Sequence, residues 1–213
     1  MRTLCEQYRP TSFDEFLGQD KAVAKIAALR RRGLAGRVYW ISGPSGTGKT
    51  TLAMLIGREL ADPFYIQELD AGALCGSVLR EWESQSHYGA PGPGGRVFIV
   101  NESHGLSKAA VRQLLVSLER VPNHVAWIFT TTTDGMTLFE DCHEDASPLL
   151  SRCTEIKLTS QGLKQVFAER AMAIAQAEGL DGQPIEKYLR LVQDNKNNMR
   201  AVLQKIEEGG MLA

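Results

Sequence analysis

The eight residues Gly43–Thr50, GPSGTGKT, constrain this 213-residue chain more than any other feature. They fit the pattern G-x-x-x-x-G-K-[ST] in full, and the flanking sequence supplies the context that the pattern needs. Before them lies RVYWIS (37–42), a short apolar run rich in β-formers, and after them the helical TLAMLIGREL (51–60). Glycines let a backbone wrap an anion without Cβ clashes, so that successive N–H groups and the helix N-terminus face it. Lys49 is then placed to reach the terminal phosphates of a nucleotide, and the Thr50 hydroxyl to sit on Mg²⁺.

The rest of the chain reads as alternating strands and helices. Residues 1–19 read as irregular, and Asp20–Arg32 as a helix with Asp20 as N-cap and Val23, Ile26 and Leu29 on one side. FYIQELD (64–70), VFIVNE (97–102) and HVAWIFTTT (124–132) read as further strands. Between the last two, Val111, Leu114, Leu115 and Leu118 follow the i, i+3, i+4, i+7 spacing of an amphipathic helix that opens at Ser107. Such alternation predicts βαβ units around a parallel sheet. After residue 158 the strand signals stop, and three helical segments follow. The first carries Leu163, Phe167, Ala171 and Ile174, the second Ile185, Leu189 and Val192, the third Met199, Val202, Leu203 and Ile206. The expected organisation is an α/β domain over 1–158 and a small three-helix domain over 159–213, joined at Thr159–Gln161.

Composition narrows the function classes. Basic and acidic residues number 24 and 25, so bulk charge does not announce a nucleic-acid partner. The one basic run, LRRRGLAGR (29–37), reads more simply as a solvated helix end. Cys5, Cys75, Cys142 and Cys153 form no CxxC pair, so neither a zinc site nor a disulfide framework is indicated. No apolar run approaches the roughly 18 residues needed to cross a bilayer, and a cytoplasmic protein is expected.

A chain that hydrolyses a nucleotide also needs a second strand carrying acidic groups to the metal and the attacking water. VFIVNE is the stretch of that type, with four apolar residues as in a strand buried on both faces. At its tip Glu102 could polarise water, whereas Asn101 stands where an Asp is expected; His104 nearby reads as an ordinary hydrogen-bonding residue.

With these residues in place, the chain resembles the AAA+ ATPases, and among them the sliding-clamp loader subunits. YRPTSFDEFLGQDKAV (8–23) is similar to the opening box of that group, NESHGLSKAAVRQLLVSLE to its D-E-x-H strand and following helix, and LLSRC (149–153) to its Ser-Arg-Cys motif. NNMRAVLQKIE (197–207) resembles the lid helix with the sensor-2 arginine. The resemblance implies a P-loop NTPase sheet followed by a helical lid, ATP or ADP as ligand, and Mg²⁺. It places Tyr8 and Arg9 near the base, and Gly43, Pro44, Ser45, Gly46, Thr47, Gly48, Lys49, Thr50 and Thr51 around the phosphates. It puts Thr50 and Asn101 at the metal, Glu102 as catalytic base, Thr133 or its neighbour Thr132 as sensor 1, and Arg200 on the phosphates from the lid. Arg152 becomes a finger acting in trans on the next subunit of an oligomeric ring. A surface ion pair is the plainer reading of Arg152, and a solvated helix position that of Arg200. DNA and a DNA-associated protein are the implied partners.

Three departures stand out. Asn101 removes a charge from the metal shell. The chain ends after the lid, where clamp loaders carry a helical collar. The acidic stretch GMTLFEDCHEDASP (135–148) is longer than the family's usual connection, and its Cys142, His143, Glu144 and Asp145 read as a solvated loop. Alternatives therefore stay open: a branch-migration type motor, or an ATP-dependent scaffold with little hydrolysis.

Overall fold

The computed structural model describes residues 2–132 and 148–212. They form two compact units, Ala24–Gly43 with Lys49–Lys157, and Met1–Val23 with Pro44–Gly48 and Leu158–Ala213.

The first unit is built on five parallel strands: β1 (Arg37–Ser42), β2 (Ile66–Asp70), β3 (Arg96–Asn101), β4 (Val125–Thr131) and β5 (Cys153–Lys157), in the order β2-β3-β4-β1-β5. Every residue of β4 is buried, as are Val97–Val100 of β3, so these strands carry uninterrupted apolar runs rather than an alternating pattern. On one face Trp40, Phe98, Trp127 and Phe129 stack with Trp82, Leu79 and Leu114. The Trp82 and Phe98 rings lie 4.8 Å apart, as do those of Phe98 and Trp127. Those contacts come from α4 (Gly76–Ser86) and α5 (Lys108–Ser117), whose N-cap Ser107 accepts a hydrogen bond from Ala110 N. Alternate strand residues turn to the opposite face. There Gly57 of α3 (Lys49–Leu60) packs close to Ile66 and Val97.

Register brings the carboxyl ends of neighbouring strands to one edge: Ser42 lies opposite Thr131, and Asp70 opposite Asn101. In open parallel sheets this is the edge at which ligands bind.

The second unit is helical. α6 (Lys164–Glu178), α7 (Ile185–Asp194) and α8 (Met199–Glu207) bury Phe167, Ala171, Ile174, Tyr188, Val192, Val202 and Ile206 in one cluster. Leu4 joins it from α1 (Leu4–Gln7). The three helices fall where the 3.6-residue spacing puts them.

Several local readings change. The segment before residue 20 contains α1, because Thr3 and Glu6 form a capping box. Asp20 is the first residue of α2 (Asp20–Arg30) rather than its cap. Phe64 is not in β2: Pro63 opens a short 3₁₀ turn capped by the Asp62 side chain, and the strand starts at Ile66. β5 and α4 carry no expectation from sequence. The acidic stretch over 135–147 and its Cys142, His143, Glu144 and Asp145 lie outside the described residues.

Candidate functional site

β1 ends at Ser42, and the chain turns at once into the glycine-rich loop. Gly43 N donates to Thr131 O at 3.3 Å, tying the start of the loop to the end of β4. Lys49 heads α3 and is buried, and its Nζ donates to Gly43 O at 2.8 Å. An ammonium is thus held across the mouth of the turn. Pro44 and Ser45 are exposed, Thr51 is half-buried, and the buried Thr47 donates its hydroxyl to Pro44 O at 2.8 Å.

The two central glycines are required by space as well as by backbone. Gly46 and Gly48 adopt φ of +75° and +97°, in the left-handed region. A Cβ on Gly48 would lie 2.6 Å from the Phe16 ring, and one on Gly46 would lie 1.9 Å from Asn198 Oδ1. Asn198 is the N-cap of α8, its Oδ1 accepting from Ala201 N at 3.2 Å. The loop therefore lies against the end of the helix that carries Arg200, an exposed residue in the first helical turn. A cation at a helix N-terminus opposes the helix dipole, so an anion nearby would relieve the position.

At the end of β3, Asn101 has both ends of its amide occupied. Oδ1 accepts from Thr130 Oγ1 at 2.8 Å and from Thr50 Oγ1 at 3.3 Å, while Nδ2 donates to Glu68 Oε1 at 2.6 Å. Hydroxyl and amide oxygens are hard ligands, suited to Mg²⁺. The chain then kinks: Glu102 takes φ 50°, ψ 47°, an unusual conformation for a residue with a side chain. That kink ends the strand and leaves the Glu102 side chain half-exposed, with Oε2 3.4 Å from His104 Nδ1. Backbone held in a sparsely populated region is a common mark of functional positions.

The remaining sequence candidates fall as follows. Tyr8 Oη donates to Glu178 Oε1 at 2.7 Å, and this hydrogen bond raises its phenol pKa; Gln7 shares the same carboxylate. Arg9, beside it, is half-buried. Gln19 of the same box is buried and closes on the backbone of Thr159 through both ends of its amide. Arg152 donates to Pro148 O at 2.7 Å and pairs with Glu119 at 3.1 Å. Thr132 is exposed at the end of β4, and Thr133 lies outside the described residues. Sequence reasoning missed Thr130 and Glu68, which reach Asn101 from the strands on either side. Only the strand order could have revealed them.

A strand, a glycine-rich loop and a helix headed by a buried lysine, set at the carboxyl edge of a five-stranded parallel sheet, define a P-loop nucleotide-binding protein. The model of the ATPase family associated with various cellular activities (AAA) matches residues 39–158. The chain belongs to that family. Among curated proteins it is 32% identical over 154 residues to DNA polymerase III subunit gamma/tau of Mycobacterium tuberculosis, covering 61% of this chain and 27% of that protein. It is 27% identical over 184 residues to replication factor C small subunit 1 of Pyrobaculum arsenaticum, covering 83% of this chain and 52% of that one. The chain thus spans between about a quarter and a half of the length of these relatives. The resemblance read from Tyr-Arg-Pro and Ser-Arg-Cys is the one these relatives show. Among solved structures, the Thermotoga maritima RuvB Holliday junction branch migration motor superposes with a TM-score of 0.69 at 23% identity, over 94% of this chain and 64% of that one. That likeness concerns the fold. No helix among the described residues is long and apolar enough to cross a membrane.

Proposed function

We propose that this chain binds ATP with Mg²⁺ and hydrolyses it as one subunit of a clamp-loader-like ring that remodels a DNA-bound complex. The observation that carries the reading is the junction of the loop with β3: Lys49 fixed on Gly43 O, and Thr50 and Thr130 meeting on Asn101 Oδ1. Residues 1–158 supply the nucleotide domain and 159–213 the lid.

In this reading Gly43–Thr51 surround the phosphates, and Lys49 balances their charge. Tyr8 and Arg9 lie toward the base. Thr50 and Asn101 hold the metal, which when bound neutralises charge on the phosphate oxygens. Glu102 accepts the proton of the attacking water on a carboxylate oxygen, and Thr133 or Thr132 orients that water. Arg200 contacts the phosphates from the lid. Arg152 completes the site of a neighbouring subunit, where an arginine finger contributes roughly 10³–10⁵ in rate. An isolated subunit is therefore nearly silent.

A second reading, an ATP-dependent scaffold with little turnover, is favoured by the amide at Asn101. Turnover with Mg²⁺ and primed DNA, measured beside Glu102→Gln and Arg152→Ala, separates the two. Hydrolysis that rises on assembly and vanishes in both variants supports the ATPase. Stable ATP-driven assembly with no turnover supports the scaffold, and a permanent monomer that never binds nucleotide refutes both.

A further inference from the structure

By itself Asn101 reads as a lost charge. Its surroundings say where a charge is. Glu68 belongs to β2, the strand hydrogen-bonded to β3, and its carboxylate accepts from Asn101 Nδ2 at 2.6 Å. A bond that short to an ionised acceptor is charge-assisted. The other end of the same amide, Oδ1, receives the Thr50 and Thr130 hydroxyls at 3.3 and 2.8 Å. The amide is thus oriented by its partners, with oxygen toward the loop and nitrogen toward β2. A carboxylate bonded to an amide N–H draws electron density onto the amide oxygen. The atom so enriched is the one beside the Thr50 hydroxyl.

An aspartate at position 101 could not make this arrangement. Its second oxygen would meet the Glu68 oxygen where an N–H now donates. Glu68 and Asn101 therefore fit each other, and Glu68 and an Asp in that place would not.

We infer that Glu68 supplies, through Asn101, the negative charge that a divalent cation needs at this site. Glu68 is a positioning and charge-supplying residue: its carboxylate sits one strand further from the loop, and the Asn101 amide relays its effect to Oδ1. This rests on the reading of the site as an ATP–Mg²⁺ site. It sharpens that reading, because the amide at 101 then weakens the cation site much less than the single residue suggests.

The test is the Mg²⁺ dependence of binding of a fluorescent, non-hydrolysable ATP analogue to the full chain. It is run for the wild type, Glu68→Gln, Asn101→Asp and the double variant, with excess chelator as the metal-free reference and a melting curve for each. Glu68→Gln is expected to raise the Mg²⁺ concentration for half-maximal effect roughly 10–100-fold, the usual loss when an outer partner of a metal ligand is removed. Asn101→Asp alone brings no tightening, since two carboxylates then face each other. Glu68→Gln with Asn101→Asp moves the charge by one strand and restores the Mg²⁺ response. This rescue would not follow if Glu68 served the fold alone. Unchanged Mg²⁺ dependence in Glu68→Gln overturns the inference while leaving nucleotide binding intact, and so does an Asn101→Asp that tightens Mg²⁺ whatever stands at 68. Failure of the wild type to bind the analogue even with Mg²⁺ would instead overturn the nucleotide reading, and the inference with it.

Discussion

Replacing Gly46 with alanine probes the tightest point of the loop. Two separate costs can be worked out. Gly46 stands at φ +75°, where a side chain adds about 1–2 kcal/mol. The new Cβ would also lie 1.9 Å from Asn198 Oδ1, 2.3 Å from its Cγ and 2.9 Å from its Cα. Rotating the side chain relieves the first two contacts and leaves the third, so the start of α8 must shift. Moving Asn198 breaks its cap on Ala201 N, and such caps contribute about 1 kcal/mol. The sum is about 2–3 kcal/mol before any backbone displacement is counted. Gly162 is the control, since its φ is +74° and a Cβ there meets nothing within 4 Å. Urea denaturation followed by circular dichroism should show Gly162→Ala losing only the backbone share, and Gly46→Ala losing at least about 1 kcal/mol more. Asn198→Ala made in the Gly46→Ala background should then cost less than in the wild type, because the cap is already gone. Equal losses for the two alanines, or full additivity of the pair, would refute the close approach of loop and helix. Nucleotide affinity should fall in Gly46→Ala and stay level in Gly162→Ala.

Three further outcomes are expected. Arg152→Ala should change stability by only about 1–2 kcal/mol, since it loses an ion pair to the exposed Glu119 and one hydrogen bond to Pro148 O, while turnover of the assembled protein collapses; a denaturation curve beside an ATPase assay checks both. Cys75 should be alkylated at neutral pH well ahead of Cys153, as read by peptide mass mapping. The Ser77 side chain and the N–H groups of Val78 and Ser77 lower the Cys75 thiol pKa, whereas burial pushes that of Cys153 up to about 12. Asp181 is held below the usual carboxylate range chiefly by the hydrogen bond from Tyr188 Oη, at 2.9 Å. A depressed carboxylate stabilises the fold above its unfolded value and loses that contribution as pH falls through its folded value. Tyr188→Phe should therefore flatten the acid limb of a stability-versus-pH curve below about pH 4 and leave its slope near neutrality unchanged.

How much could be read in advance follows from what each feature depends on. β1, β3 and β4 are buried on both faces, so they appear as unbroken apolar runs at their correct positions. β5 lies at the edge of the sheet, and of its five residues only Ile156 is buried, so nothing in CTEIK announces a strand. α4 was missed for a related reason: it buries only Leu79, Trp82 and Ser86, and its N-cap is Cys75, not one of the residue types that announce a helix start. In the site, Lys49 and Thr50 are legible because loop and helix are continuous in sequence. Thr130 and Glu68 are 29 and 33 residues from Asn101 and reach it only because β4 and β2 flank β3. Lateral neighbours in a parallel sheet are set by the order of strands, which no local pattern encodes.

That dependence bears on any reading of a site from a single position. Two unit charges 2.6 Å apart, the separation between Asn101 Nδ2 and Glu68 Oε1, repel by about 6 kcal/mol at an effective dielectric of 20 and by about 1.6 kcal/mol in bulk water. Glu68 is exposed, so solvent draws the figure toward the lower value, which is still about a tenfold effect. With Asn101 the same contact is instead a charge-assisted hydrogen bond, contributing at most the lower end of about 1.5–3 kcal/mol because Glu68 is exposed. Replacing Asn101 with aspartate thus trades an attraction for a repulsion, which the exposed Glu68 relieves by swinging into solvent. One carboxylate then takes the place of the other and does not add to it. The weight given to an amide at the end of β3 therefore depends on the residue facing it from β2, and here that residue is a carboxylate.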